Sequence, residues 1–233
     1  MPSNRFYLNG PLITGNEAIL TSHEHHHLKN VIRKSVGSSV ELINGKNMLA
    51  TALISHIERN KTLLTVQSVE TQKPHYPPFH LVLGLSHLSK VHIALEKCTE
   101  LGVSHFTLVP MDLSKKNFIG PKDQVRCHQT IIGALKQCGR LDLPSLEILP
   151  NLDALKIPSH IDSVFFGDPR KPLNTLPSAQ EKNILFFIGP DSGFSDEEYT
   201  LLEKQYSAKG VKLHQNILRF ETAAIISTML FLK

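Results

Sequence analysis

Three prolines within five residues, Pro74, Pro77 and Pro78, constrain this chain more than any other local feature. Proline fixes φ and offers no backbone N–H, so the segment Glu70–Pro78 favours extended chain. It reads as an extended linker that divides the 233 residues into segments 1–72 and 73–233. The patterning on its two sides differs.

Upstream, β signals dominate. Val40–Ile43 and Met48–Ile57 flank Asn44-Gly45, a hairpin turn signal because both residues tolerate positive φ. Thr62–Val69 is a third β-rich run. One helix interrupts them: Thr21 and Glu24 have capping-box spacing, Leu28, Val31 and Ile32 make an apolar stripe, and Gly37 can end it. These signals predict a small β-barrel-like domain with one helix.

Downstream, strands and helices alternate. Phe79–Leu85, His105–Val109, Ser163–Phe166, Ile184–Ile188 and Val211–Leu213 read as strands. Lys90–Leu101 (stopped by Gly102), Gln124–Gln137, a helix opened by the capping box Ser195/Glu198, and Thr222–Leu232 read as helices. Such alternation predicts an α/β domain with a parallel sheet covered on both faces.

Hydrophobic residues at 41% and charged residues at 20% fit a globular chain with a sizeable core. No apolar run reaches the ~18–20 residues of a membrane span. Residues 1–5 lack the apolar stretch of a secretory signal. Three cysteines without CxxC spacing read as reduced thiols, so a cytoplasmic protein is expected. The net charge is +4, distributed as +3 over residues 1–73, +2 over 74–150 and −1 over 151–233. A basic first two thirds is compatible with an RNA partner held partly by the N-terminal segment.

Several features could carry chemistry. Gly189-Pro190-Asp191-Ser192-Gly193 joins an apolar strand to a capped helix, where ligands of parallel sheets sit; an ordinary strand–helix turn would look the same. It is neither a Walker loop nor a dinucleotide fingerprint. Residues 213–223 place Arg219 and Glu221 at the start of the last helix. There they could form an ion pair that complements the helix dipole, or act on a ligand. A third strand ends at Gly167-Asp168-Pro169-Arg170. His23-Glu24-His25-His26-His27 formally matches HExxH, but it falls in the first turn of a short helix and lacks a third ligand, so no metal is expected. Cys138 reads as a plain buried thiol, and Arg140, after a glycine turn, as an exposed guanidinium for phosphate or base contact.

Taken together these blocks resemble the RsmE family, the bacterial 16S rRNA uracil-N3 methyltransferases of the SPOUT superfamily. The likeness runs from Arg5-Phe6 through His27–Arg33, Lys90, Glu96–Val103 and Gln137–Arg140 with Pro144. Its most specific parts are Gly189–Ser195 and Ile217–Ala223. The resemblance implies an N-terminal PUA-like RNA-binding β-barrel and a C-terminal α/β SPOUT domain with a deep trefoil knot. It implies S-adenosylmethionine as cofactor, held by the loops Phe166–Arg170, Ile188–Gly193 and Leu213–Thr222. Within these, Phe166, Gly167, Ile188, Gly189, Pro190, Gly193, Leu213, Ile217, Leu218, Thr222 and Ala223 are the expected cofactor residues. It also implies a homodimer through the C-terminal domain and, as target, uridine 1498 of 16S rRNA in the 30S subunit.

Catalysis then falls to Arg219, as a cation stabilising the uracil anion, and Glu221, as its orienting partner or the base. Arg5, Lys29, Arg33, Lys34, Lys90, Lys115, Lys116 and Arg140 are the expected RNA contacts. The sequence departs from the family pattern at Asp191 and Ser192 (usually Glu and Gly), at His214 and Asn216 (usually Gly and Arg), and at Leu113-Ser114, where the family has an Arg. A catalytically silent RNA-binding or ribosome-assembly factor, or a SPOUT enzyme with another RNA target, are the alternatives.

Overall fold

The computed structural model describes residues 4–73, 76–173 and 182–232. Packing divides the chain into two compact units. The first comprises Met1–Pro74 and Ile132–Leu143, the second His75–Ile131 and Pro144–Lys233. The inserted segment Ile132–Leu143 belongs to the first unit because Leu135 and Leu141 bury with Ile43 against Tyr7, Leu49 and Leu143. A linear division at the proline-rich linker does not assign it there.

The first unit contains β1 (Arg5–Tyr7), β2 (Glu17–Thr21), α1 (Ser22–His26, continuing as a π-helical stretch His27–Ile32), β3 (Ser39–Ile43), β4 (Met48–Ile57) and β5 (Lys61–Thr71). The sheet order is β1-β3-β4-β5-β2. Register shifts in the β4–β5 pair, at Thr51/Ala52 and Ile54/His56, let the long hairpin curl around its core. That core gathers alternate residues such as Leu42, Ala50, Ala52, Ile54, Leu64 and Val66 with Leu28 of the helix. The Asn44-Gly45 turn forms as expected. The Asn44 side chain accepts from the Lys46 amide at 2.9 Å, and Gly45 sits at φ 72°.

Two local expectations fail here. Thr21 makes no side-chain cap; Glu24 instead accepts from the Tyr7 amide at 3.2 Å and pairs with Lys136 at 2.6 Å. A carboxylate with a cation to meet does not turn back to its own N-cap. The helix also ends before Gly37, at Arg33, which takes a left-handed φ of 58°.

The second unit contains β6 (Phe79–Gly84), α2 (Leu88–Leu101), β7 (His105–Val109), α3 (Pro121–Cys138, whose end lies in the first unit), β8 (Ser145–Ile148), β9 (Ser163–Gly167), β10 (Ile184–Ile188), α4 (Asp196–Lys204), β11 (Lys209–Val211) and α5 (Phe220–Phe231). Every pairing in the sheet β11-β9-β10-β6-β7-β8 is parallel. The two-residue period of the strands sorts the Phe pairs between its faces. Phe165 and Phe186 meet Phe231 of α5, each at 5.0 Å between ring centroids. Phe166 meets Tyr199 at 5.7 Å and Phe187 meets Tyr206 at 5.5 Å on the α4 face. Gly102 ends α2 at φ 112°, and β11 lies two residues earlier than its apolar pattern suggests. No helix among the described residues is long and apolar enough to cross a membrane.

Candidate active site

The neighbouring strands β11, β9 and β10 end side by side, and their carboxyl-end loops enclose a cavity of about 300 Å³. Loops emerging at this end of a parallel sheet are where such folds bind ligands. From β9 come Gly167, Asp168 and Pro169; from β10, the run Ile188–Phe194; from β11 and the approach to α5, Lys212, Leu213, His214, Asn216, Ile217, Leu218, Phe220 and Ala223.

Close backbone packing shapes the cavity. A Cβ at Gly84 would stand 2.6 Å from Pro190 Cδ, so a glycine at the end of β6 lets the 189–193 loop settle on the sheet. Gly193 takes φ 80°, whereas Ser192 stays out of the left-handed region, which is how a side chain is accommodated there.

Of the expected cofactor residues, Gly167, Ile188, Gly189, Pro190, Gly193, Leu213, Ile217, Leu218 and Ala223 line this cavity. Phe166 is fully buried behind the lining, against Phe194 and Tyr199, and Thr222 stands outside the wall. Sequence reasoning missed Phe194 and Tyr199. The signal was present: the capping box at Ser195/Glu198 forms, with Glu198 N–H donating to Ser195 Oγ at 3.1 Å. In a capped helix the residue before the cap packs on the fourth helical residue. Those residues are Phe194 and Tyr199, with centroids 5.6 Å apart. The Arg170 guanidinium covers the Tyr199 ring at 3.2 Å and is held by the buried Asp168 at 3.0 Å.

Charge at the cavity is organised around Asp191. It accepts from Ser86 Oγ at 2.6 Å and ion-pairs with Lys90. Burial alone would raise its pKa; hydrogen bonds from Lys90 and Ser86 and the Lys90 charge outweigh that and hold it below its ordinary value. The Asp that replaces the usual Glu thus has both its oxygens engaged.

Arg219 is the N-cap residue of α5, exposed, between Leu218 and Phe220 of the wall. It makes no ion pair among the described residues. Glu221 keeps Oε2 buried without a hydrogen-bond partner. The ion pair that could have explained both residues does not form.

The expected RNA contacts divide. Arg5 pairs with Glu41 at 2.8 Å, its side chain 9% exposed. Arg140 is not the exposed guanidinium expected: its side chain is 7% exposed and paired with Asp142 at 2.5 Å, because an aspartate two residues on lies within reach. Cys138, expected to be buried, is exposed at the end of α3. Lys29 donates to the Glu58 carbonyl at 2.9 Å, and Lys116 pairs with Asp123 at 3.2 Å. Arg33 and Lys115 are exposed, and Lys34 is half-buried.

Residues 72–232 match the RNA methyltransferase domain family, and residues 20–67 match the RNA methyltransferase PUA domain. A relative from Rickettsia conorii, "Ribosomal RNA small subunit methyltransferase E", is 29% identical over 97% of this chain and 93% of its own. Two solved structures are similar over nearly the whole chain. One is a methyltransferase from Legionella pneumophila in complex with the bound cofactor SAM (26% identity, TM-score 0.92, covering 99% of this chain and 97% of that one). The other is a ribosomal RNA small subunit methyltransferase E from Neisseria gonorrhoeae bound to S-adenosyl methionine (25% identity, TM-score 0.83, covering 97% and 95%).

Proposed function

The chain belongs to the RNA methyltransferase family, and on that premise we propose that it transfers a methyl group from S-adenosylmethionine to N3 of uridine 1498 in the 16S rRNA of the 30S subunit. The observation that carries the reading is the unpaired state of Arg219 and Glu221 beside the three-loop cavity. Charged groups without internal partners next to the wall of a cavity are groups a ligand can engage.

The cavity fits the cofactor. Its volume is at the lower end for small-molecule sites. Ile188, Leu213, Leu218 and Ala223 offer apolar wall, and Ile217 stands 87% exposed at the rim until something covers it. Gly189 and Gly193 bring backbone close. S-adenosylmethionine, when bound, supplies a methyl carbon already activated by its sulfonium.

The chain's own residues position and deprotonate. Uracil N3 carries a proton at neutral pH. The Arg219 guanidinium, close to a uracil carbonyl oxygen, lowers the cost of the N3 anion. Glu221, in the first turn of the same helix, is the proton acceptor in this reading. Lys90 also stands beside the 189–193 loop, its charge offset by its ion pair with Asp191.

The path of the chain supports a trefoil knot. β11 is an edge strand, yet α5 that follows packs on β10, β6 and α2 in the middle of the sheet. Exposed Met229 on α5 and Ile93 on α2 support a homodimer through this domain. The setting of the reaction is the cytoplasm.

Labelled cofactor, 30S subunits lacking the modification and the purified protein test this directly. Labelled 3-methyluridine at position 1498 is the expected product. Cofactor binding without transfer would point to another RNA target. Neither binding nor transfer would leave an RNA-binding assembly factor.

A further inference from the structure

The loop between β7 and α3 carries an aromatic side chain that the core does not use. Phe118 is 68% exposed, the most exposed Phe or Tyr among the described residues, whereas its neighbour Ile119 is 1% exposed. The loop is anchored at both ends. At its start, the Met111 amide donates to Ser114 Oγ at 2.9 Å and the Asp112 amide to Glu198 Oε1 at 2.8 Å. Asp112 Oδ2 also accepts from Ser195 Oγ at 2.6 Å. At its end, Gln124 Nε2 donates to the Ile119 carbonyl at 2.9 Å, and the Asp123 and Gln124 amides reach the Gly120 carbonyl at 3.0 Å. The first anchor is the capping box flanked by Phe194 and Tyr199 of the cavity wall. Phe118 is therefore presented by a fixed loop that springs from the cavity rim.

The charge around it is one-sided. Residues 112–126 hold Lys115, Lys116, Lys122 and Arg126 against Asp112 and Asp123. Both carboxylates are engaged, Asp112 by Ser195 and Asp123 by Lys116 at 3.2 Å and Arg126 at 3.8 Å. Lys115 and Lys122 are exposed and make no ion pair among the described residues. An exposed aromatic between unpaired cations is how proteins hold single-stranded nucleic acid: the ring stacks on a base and the cations take phosphates.

We propose that Phe118 is a stacking platform for an unpaired nucleotide flanking the target base, with Lys115 and Lys122 on the adjoining phosphates. This rests on the RNA-methylation reading above. A surface with this excess of positive charge fits a polyanion better than a second copy of the same basic loop.

The chain contains no tryptophan, so Phe118→Trp installs a single indole reporter. Its fluorescence should be quenched, saturably, by a single-stranded oligonucleotide of the 16S decoding region, and less so as salt rises. In methyl transfer to 30S subunits, Phe118→Ala should raise KM about tenfold, the scale of one lost base–aromatic stack. kcat and cofactor affinity should stay unchanged, and Phe118→Tyr should restore KM. No quenching, a KM within twofold of the original, or full rescue by Phe118→Leu would overturn the proposal. So would self-association in sedimentation that Phe118→Ala abolishes, which would assign the ring to a second copy. If the original protein transfers no methyl group to 30S subunits, the reading of function fails, while the indole titration still decides the stacking.

Discussion

Arg140 and Arg219 look alike in the sequence, each a guanidinium beside a turn in a family-like motif, and the structure treats them oppositely. Arg140, in the first unit, is buried and paired with Asp142, as Arg5 is with Glu41. Arg219, in the second, is exposed and makes no ion pair among the described residues. What separates them is the nearest carboxylate. Asp142, two residues from Arg140, reaches its guanidinium, whereas Glu221, two residues from Arg219, leaves Oε2 buried and without a partner. A motif arginine with a carboxylate in reach holds the fold, and one without is left for the substrate.

The contrast can be broken by two substitutions. Arg219→Ala should lower methyl transfer by about 10²–10³-fold, the range for losing one preorganised charge-stabilising donor. Cofactor affinity and Tm should hold, and equal loss of all three would make Arg219 a structural residue after all. Arg140→Ala should behave in the reverse sense. It should cost about 2–3 kcal/mol in denaturant unfolding, less than a fully buried pair because Asp142 is 30% exposed, and remove little of kcat. A fall in turnover without loss of stability would return Arg140 to the RNA.

The smallest effect concerns Asp191. Its pKa is held below the ordinary 3.8, so its contribution to stability is present above that value and disappears as pH falls through the depressed one. Asp191→Asn should therefore narrow the difference in stability between neutral and acid pH. An acid limb with unchanged slope in the variant would mean that the Lys90–Asp191 pair adds nothing to folding.

Much of the fold was legible because periodicity and turn chemistry agreed. The Phe165/Phe166 and Phe186/Phe187 pairs read as strands buried on both faces, and Ser195/Glu198 marked α4 correctly. The short strands β1, β2 and β8 were not legible, since three to five residues of mixed polarity carry little pattern. The capping box at Thr21 failed because Lys136, over a hundred residues away, competes for Glu24. The cavity was legible as three loop ends. Its aromatic wall and the Ser86–Asp191–Lys90 cluster were not, because they depend on which helix leans over which strand.

The carboxylate of Glu198 divides its oxygens between the Ser195 amide, three residues away, and the Asp112 amide, 86 residues away. The first bond closes within a single helical turn and the second only after a long stretch of chain has been brought together. In folding, then, α4 can be capped early, while the 111–114 loop must wait for the sheet. Asp112 closes the same junction with its side chain, Oδ2 accepting from Ser195 Oγ, so Asp112→Ala should accelerate unfolding and leave the folding rate nearly untouched.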